Sequence, residues 1–381
     1  KIRTMLTHIN ENYKIYSILS NMNDDNQRFT DEEFPADINA LVPQGDATSG
    51  SYKDVKWMRP AEIYHKEAAN FKLYERLAPE DVEFGSVSDS SFGLALQVLS
   101  EFPQRLIQSI INRDANKHGV YACKYHVMGL AAEVYSDDLF PCNDKDEPLF
   151  LRNKHKELWP TVMEKLAAKF YGCYKNTQDG LLDDVFEDIL GVPCTNYELK
   201  KYKTEKIYDL LQSFIKQNFV AAVSALSEKK GVKDSYKIQD GHYIIDVYEE
   251  QGNRLVKLRA PSGTFKGRKI TENPTQKYFV PLPQENAFVI KMEDLSHFFD
   301  VLSVAFYNES WQKNYISVRS CKNHAEYITL NVMAPTKIYI VVNQESVKIS
   351  EEKDYQYSDV QILLAQEIGG SLKTIGNLQY I

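Results

Sequence analysis

Near residue 200 the apolar residues of this chain change their spacing, and that change restricts the fold more than any other feature. Between residues 29 and about 200 they recur at helical intervals, most clearly over 94–111 and 158–174, with little strand signal. After a further helix at 207–217 the pattern turns strand-like, in 219–226, 236–248, 255–258 and 287–292. This order predicts an α+β chain. At 381 residues it exceeds one ordinary core and should divide into two to three units. The divisions expected are a helical segment at 1–28, a mainly helical unit at 29–200, a mainly β unit at 201–311, and a β-rich remainder at 312–381.

The first segment places Ile2, Met5, Leu6, Ile9, Tyr13, Tyr16 and Leu19 at helical spacing. Two readings are open for it: docking on a partner, or packing on the chain's own core. Beyond Trp311, the runs 315–318, 327–332, 337–342 and 360–364 are short, β-rich and separated by polar turns. A chain that opens on Lys1 and stops inside such a pattern is expected to be an excerpt of something longer.

A net charge of −8 excludes a nucleic-acid surface, which needs clustered Lys and Arg. The five cysteines, Cys123, Cys142, Cys173, Cys194 and Cys321, are odd in number and widely spaced, with no CxxC pair. They read as reduced thiols of a cytoplasmic protein. No apolar run approaches the roughly 18 residues of a membrane span, and the first residues form no signal peptide. No GxxxxGK[ST], GxGxxG or HExxH stretch occurs. His118, His126 and His155 lie among polar residues and read as solvated surface.

A series of motifs runs through the middle of the chain in one order. Phe34-Pro35-Ala36 is followed by Trp57-Met-Arg59-Pro60-Ala-Glu62-Ile63, then Gly85-Ser-Val-Ser-Asp-Ser90-Ser-Phe. Val134-Tyr-Ser-Asp137-Asp138, Glu157-Leu-Trp159-Pro160, Glu164-Lys165 and Asp246-Val247 through Arg254-Leu255-Val256-Lys257-Leu258-Arg259 come after it. Together with Trp311 this set resembles the calpains, papain-like calcium-dependent cysteine proteases. The resemblance implies a papain-like two-lobed calpain protease core, followed by the start of a calpain-type β-sandwich.

What the resemblance implies about chemistry is loss. The segment around Ser90 is similar to Gln-Gly-x-Leu-Gly-Asp-Cys-Trp-Phe, so Ser90 stands where the nucleophilic cysteine belongs. Phe84 takes the place of the oxyanion-hole glutamine, and a ring cannot donate that hydrogen bond. Counting back from Asp246-Val247 puts Asp240 at the histidine position; a two-residue deletion would make it His242 instead. Ala260 replaces the orienting asparagine, and Ser262 the tryptophan that shields it. A serine hydroxyl without a base stays un-ionised, and these groups act as a unit, so no catalytic residue is expected.

Calpains also carry one calcium ion in each lobe. Asp81, nine residues before Ser90, matches a ligand position and Glu157 a second, so one Ca²⁺ in the first lobe is a candidate cofactor. A carboxylate at Asp81 that only caps a turn is the other reading. No cofactor is otherwise required. The expected function is therefore a calpain-like pseudoprotease acting as a scaffold among other proteins of a cytoskeletal or axonemal assembly, in the cytoplasm or cilium. A peptide-holding regulatory module and a hydrolase using Ser90 with His242 remain the alternatives.

Overall fold

A computed structural model of the chain describes residues 13–65, 71–87, 90–228, 236–260, 279–316, 328–331, 333–335, 337–344, 356, 363–368 and 371–377. Ser262, Cys321, residues 1–12 and the side chain of Asp240 lie outside what is described.

The chain enters through helix α1 (Lys14–Asn21). Its N-terminus is capped by a carboxylate distant in sequence: Glu133 accepts from the Lys14 amide at 2.6 Å and the Ile15 amide at 2.9 Å. Ile15 is fully buried against Val120 and Ala122, so the described part of this segment packs on its own chain. Next come the short pieces α2 (Ile38–Leu41), β1 (Lys56–Met58), α3 (Pro60–Tyr64) and β2 (Val82–Glu83). They lead to α4 (Ser91–Leu99), which breaks before Pro103 and resumes as α5 (Pro103–Leu106).

A hairpin then interrupts the helices. Strands β3 (Val120–Val127) and β4 (Leu130–Asp137) pair antiparallel across Met128-Gly129, both at positive φ, 51° and 76°. The sequence predicts little strand here because most residues of both strands are buried, which erases the alternation that marks a half-exposed strand. Strand β5 (Phe140–Cys142) pairs with β1, and β6 (Arg152–Asn153) with β2.

Helix α6 (Trp159–Tyr171) is buried along its whole length, charged residues included. Lys165 is paired with Asp137, and Lys169 reaches Asp31 at 2.7 Å. A cation this deep is tolerable only with such a partner. Helix α7 (Leu182–Leu190) closes on Gly191 in the left-handed region, φ 61°, where a Cβ would sit 2.2 Å from the His126 ring.

The rest is organised by a seven-stranded antiparallel sheet. Its strands are β7 (Cys194–Glu198), β8 (Val220–Glu228), β9 (Tyr236–Glu250), β10 (Asn253–Arg259), β11 (Phe279–Leu282), β12 (Ala287–Lys291) and β13 (Val301–Ala305), in the order β11-β12-β10-β9-β8-β13-β7. Strand β7 therefore joins the sheet although it lies before residue 200. Alternate residues of β8 serve two cores: Val220 and Ala222 pack with α4, α6 and α7, whereas Ala221, Val223 and Ala225 pack with α8 (Thr204–Lys216). The sheet thus floors both halves of the molecule. Of the later runs, the described residues 315–316, 328–331 and 337–342 form no strand; only β14 (Leu363–Ile368) and β15 (Ser371–Asn377) pair.

Candidate active site

Ser90 begins α4 as its cap and is fully buried. Its Oγ accepts from the Gly93 amide at 3.1 Å and donates to the Thr177 carbonyl at 3.2 Å. Serine suits this position because a short oxygen-bearing side chain satisfies an otherwise orphaned helix amide. The Ser91 hydroxyl reaches the same Thr177 carbonyl at 3.2 Å, and Gln178 Nε2 binds the Val87 carbonyl at 3.2 Å. The 177–179 turn therefore clasps the start of the helix. The hydroxyl is spent on structure.

Phe84 lies over the first turn of that helix. A Cβ built at Gly93 would come within 2.6 Å of the Phe84 ring and 2.7 Å of Leu151, so the glycine exists to admit these side chains. At this turn the Phe84 ring presents hydrocarbon and no hydrogen-bond donor.

Beneath Ser90 is Glu164, completely buried on α6. Its Oε2 accepts from the Leu151 amide at 2.6 Å, and Oε1 has no hydrogen-bond partner of good geometry among the described residues. Burial pushes its carboxyl up to about 8, against the smaller opposing pull of the Leu151 amide and the neighbouring Ser90 hydroxyl. At neutral pH it is mostly protonated, which leaves little carboxylate to accept a proton from Ser90. An acid set among Val162, Met163, Leu166 and Ala167 is the sequence signal of such a buried carboxyl, and the expectations above did not use it.

Strand β9 approaches α4 at Gly241, where a Cβ would lie 3.5 Å from Leu94 and 3.6 Å from Leu182. Tyr243, on the same face, also packs toward the first core and meets Phe102 edge-on at 5.3 Å. His242 points the opposite way. It is buried, its Nδ1 donates to the Arg259 carbonyl at 2.5 Å, and its ring meets Phe288 and Phe299 at 5.2 and 5.5 Å. The backbone of Asp240 pairs with Ala225. Ala260 is buried in the second core, its amide donating to Asn286 at 2.6 Å.

Could another thiol serve instead of Ser90? A cysteine protease needs its thiolate, which requires a lowered pKa. Burial raises the four described cysteines: Cys142 to about 12, Cys123 and Cys194 well above the ordinary value, and Cys173 more modestly. None of these four is poised to attack.

The calcium candidates fare differently from one another. Asp81 is buried, and Arg76 grips both its oxygens, Nε to Oδ2 and Nη2 to Oδ1 at 2.9 Å each. His155 Nε2 adds a contact at 3.2 Å while its side chain stays exposed, as expected; His118 and His126, expected at the solvated surface, are buried instead. Glu157 is buried with Oε2 lacking a hydrogen-bond partner among the described residues. Ca²⁺ takes six to eight oxygens, whereas both Asp81 oxygens already accept from the Arg76 guanidinium. Among the described residues no group of three or more His, Cys, Asp or Glu side chains is arranged to hold a metal. As they stand, these residues do not fit the ion.

The sequence profile of the family described as calpain family cysteine protease matches residues 29–305. The calpain-type cysteine protease DEK1 of Arabidopsis thaliana is 29% identical over 248 residues, covering 62% of this chain and 12% of that protein. Calpain-5 of Caenorhabditis elegans is 30% identical over 225 residues, 55% of this chain and 34% of its own length. Human calpain-12 is 27% identical over 284 residues, 70% and 38%. The chain thus spans well under half the length of these relatives. No helix among the described residues is long and apolar enough to cross a membrane.

Proposed function

From the premise that this chain belongs to the calpain family of cysteine proteases, we propose that it is a non-catalytic member whose product is a folded surface for other proteins. One observation carries the reading: the hydroxyl at the nucleophile position is sealed, capping a helix under the Phe84 ring. Removing a single oxyanion donor costs on the order of 100- to 1,000-fold in rate, and removing triad members about 10⁴-fold or more. Here Ser90, Phe84, Asp240 and Ala260 replace the nucleophile, donor, base and orienting group together. The register with His242 at the base position is not favoured, because that ring is turned into the second core.

The role follows from what is kept. Trp159, Tyr174, the Asp137 and Lys165 pair and the full sheet preserve a large rigid body. Calcium is not needed for this role. Assembly into a cytoskeletal or axonemal structure is the expectation the family resemblance carries. Fractionation tests it: the chain should sediment with detergent-extracted cytoskeleton or axonemes and resist salt extraction. Recovery entirely in the soluble fraction refutes the scaffold.

A further inference from the structure

The stretch following β13, residues 306–313, is gripped alternately by the two halves of the molecule. Toward the second half, Phe306 lies edge-on to Phe219 at 5.4 Å, Trp311 meets the same ring at 5.6 Å, and both stack on Tyr339, at 4.6 and 4.9 Å. Toward the first half, Tyr307 donates its hydroxyl to Gln108 at 3.2 Å and Glu309 pairs with Arg105 at 2.8 Å. Lys313 Nζ donates to the Leu190 and Gly191 carbonyls, 3.1 Å each, at the end of α7 where the helix dipole favours a cation.

Arg105 is the centre of this grip. Only 3% exposed, its guanidinium lies 4.4 Å from the Phe102 ring of the first half and 4.5 Å from the Tyr307 ring of the strap. Close by, Arg259 of β10 forks onto Glu101, Nε to Oε1 at 2.5 Å and Nη2 to Oε2 at 2.9 Å. Its remaining arm binds the Glu285 carbonyl at 2.5 Å.

We propose that residues 306–313, with the Glu101–Arg259 fork, form a permanent latch that fixes one relative placement of the two halves. The apolar seam alone does not specify it. Across the seam the sheet offers Val220, Ala222 and Ala305, with the Tyr243 ring meeting Phe102 edge-on at 5.3 Å. Their attraction is non-directional, so it resists separation far better than sliding. Bidentate Arg–carboxylate bonds are directional and hold orientation. The latch needs no bound ion. It goes beyond the non-catalytic reading and stands without it, since a proteolytic chain could be latched in the same way.

The test is the distance between halves. Spin labels at Glu32→Cys and Glu205→Cys, both exposed in the native chain, are placed in a Cys194→Ser, Cys321→Ser background and read by double electron–electron resonance. The native contacts should give one narrow distribution. Glu101→Gln combined with Lys313→Met should broaden it at least about twofold or add a second distance, with far-UV circular dichroism unchanged. A folded double variant with the native distribution overturns the latch. Should that variant not fold, Glu309→Gln alone decides, since the Glu309 side chain is 58% exposed and its loss leaves both cores untouched: broadening supports the latch and an unchanged distribution overturns it.

Discussion

Glu164→Gln isolates the chemistry beneath Ser90. In the folded chain the Glu164 carboxyl keeps its proton to about pH 8, whereas in the unfolded chain it releases it near 4.5. The group therefore adds no penalty below pH 4.5. Between these values the unfolded state binds fewer protons than the folded one, so stability falls as pH rises. A gap of about 3.5 units at about 1.36 kcal/mol per unit comes to about 5 kcal/mol, lost by pH 8 and constant above it. That is a large share of the roughly 5–15 kcal/mol that holds a domain together. Glutamine keeps the shape and can still accept from Leu151, but cannot ionise. Urea unfolding of both proteins at pH 5, 6, 7, 8 and 9 should give a stability difference that grows steadily in favour of the variant up to about pH 8. Other buried acids, among them Asp183 and Glu187, both pushed up to about 7 chiefly by burial, cancel in that difference. A difference flat from pH 5 to 9 would show that Glu164 is not held neutral, and the argument against it as a base for Ser90 would fall.

Gly93→Ala should destabilise the fold by about 1–3 kcal/mol, because the added methyl meets Phe84 and Leu151 inside van der Waals distance; an unchanged urea midpoint would mean Phe84 does not sit on this turn. Calcium at about 5 mM should move the thermal midpoint by less than about 1 °C relative to chelator, since only a ligand that binds the native state stabilises it; a rise abolished by Asp81→Asn would restore the calcium site. Ser90→Ala should cost about 1 kcal/mol of stability, the usual value of a lost helix cap, measured by the same unfolding.

The α+β order of elements was legible in the apolar spacing, but the helix start at Ser90 was not: the helical stretch was expected from residue 94, whereas the Ser90 cap begins it at Ser91. Phe84 was legible as an identity but not as a contact: only the fold shows its ring against Gly93. The hairpin of β3 and β4 was hidden by its double-sided burial. Glu164, Arg76 and the pairing of Glu101 with Arg259 could not be read locally, because each depends on a partner brought near by tertiary packing. For Glu101 and Arg259 that partner is 158 residues away. His242 illustrates the same limit, since strand parity tells which residues share a face but not which core that face meets. For α1, Ile15 and the Glu133 cap show where its described residues pack, a choice the helical spacing left open.

Turnover bears most directly on the central claim. Purified chain incubated with casein and with a mixed peptide library, with and without calcium, should release no fragments above a blank, and Ser90→Ala should be indistinguishable from the native protein. Cleavage that disappears in a folded Ser90→Ala variant would contradict the account outright.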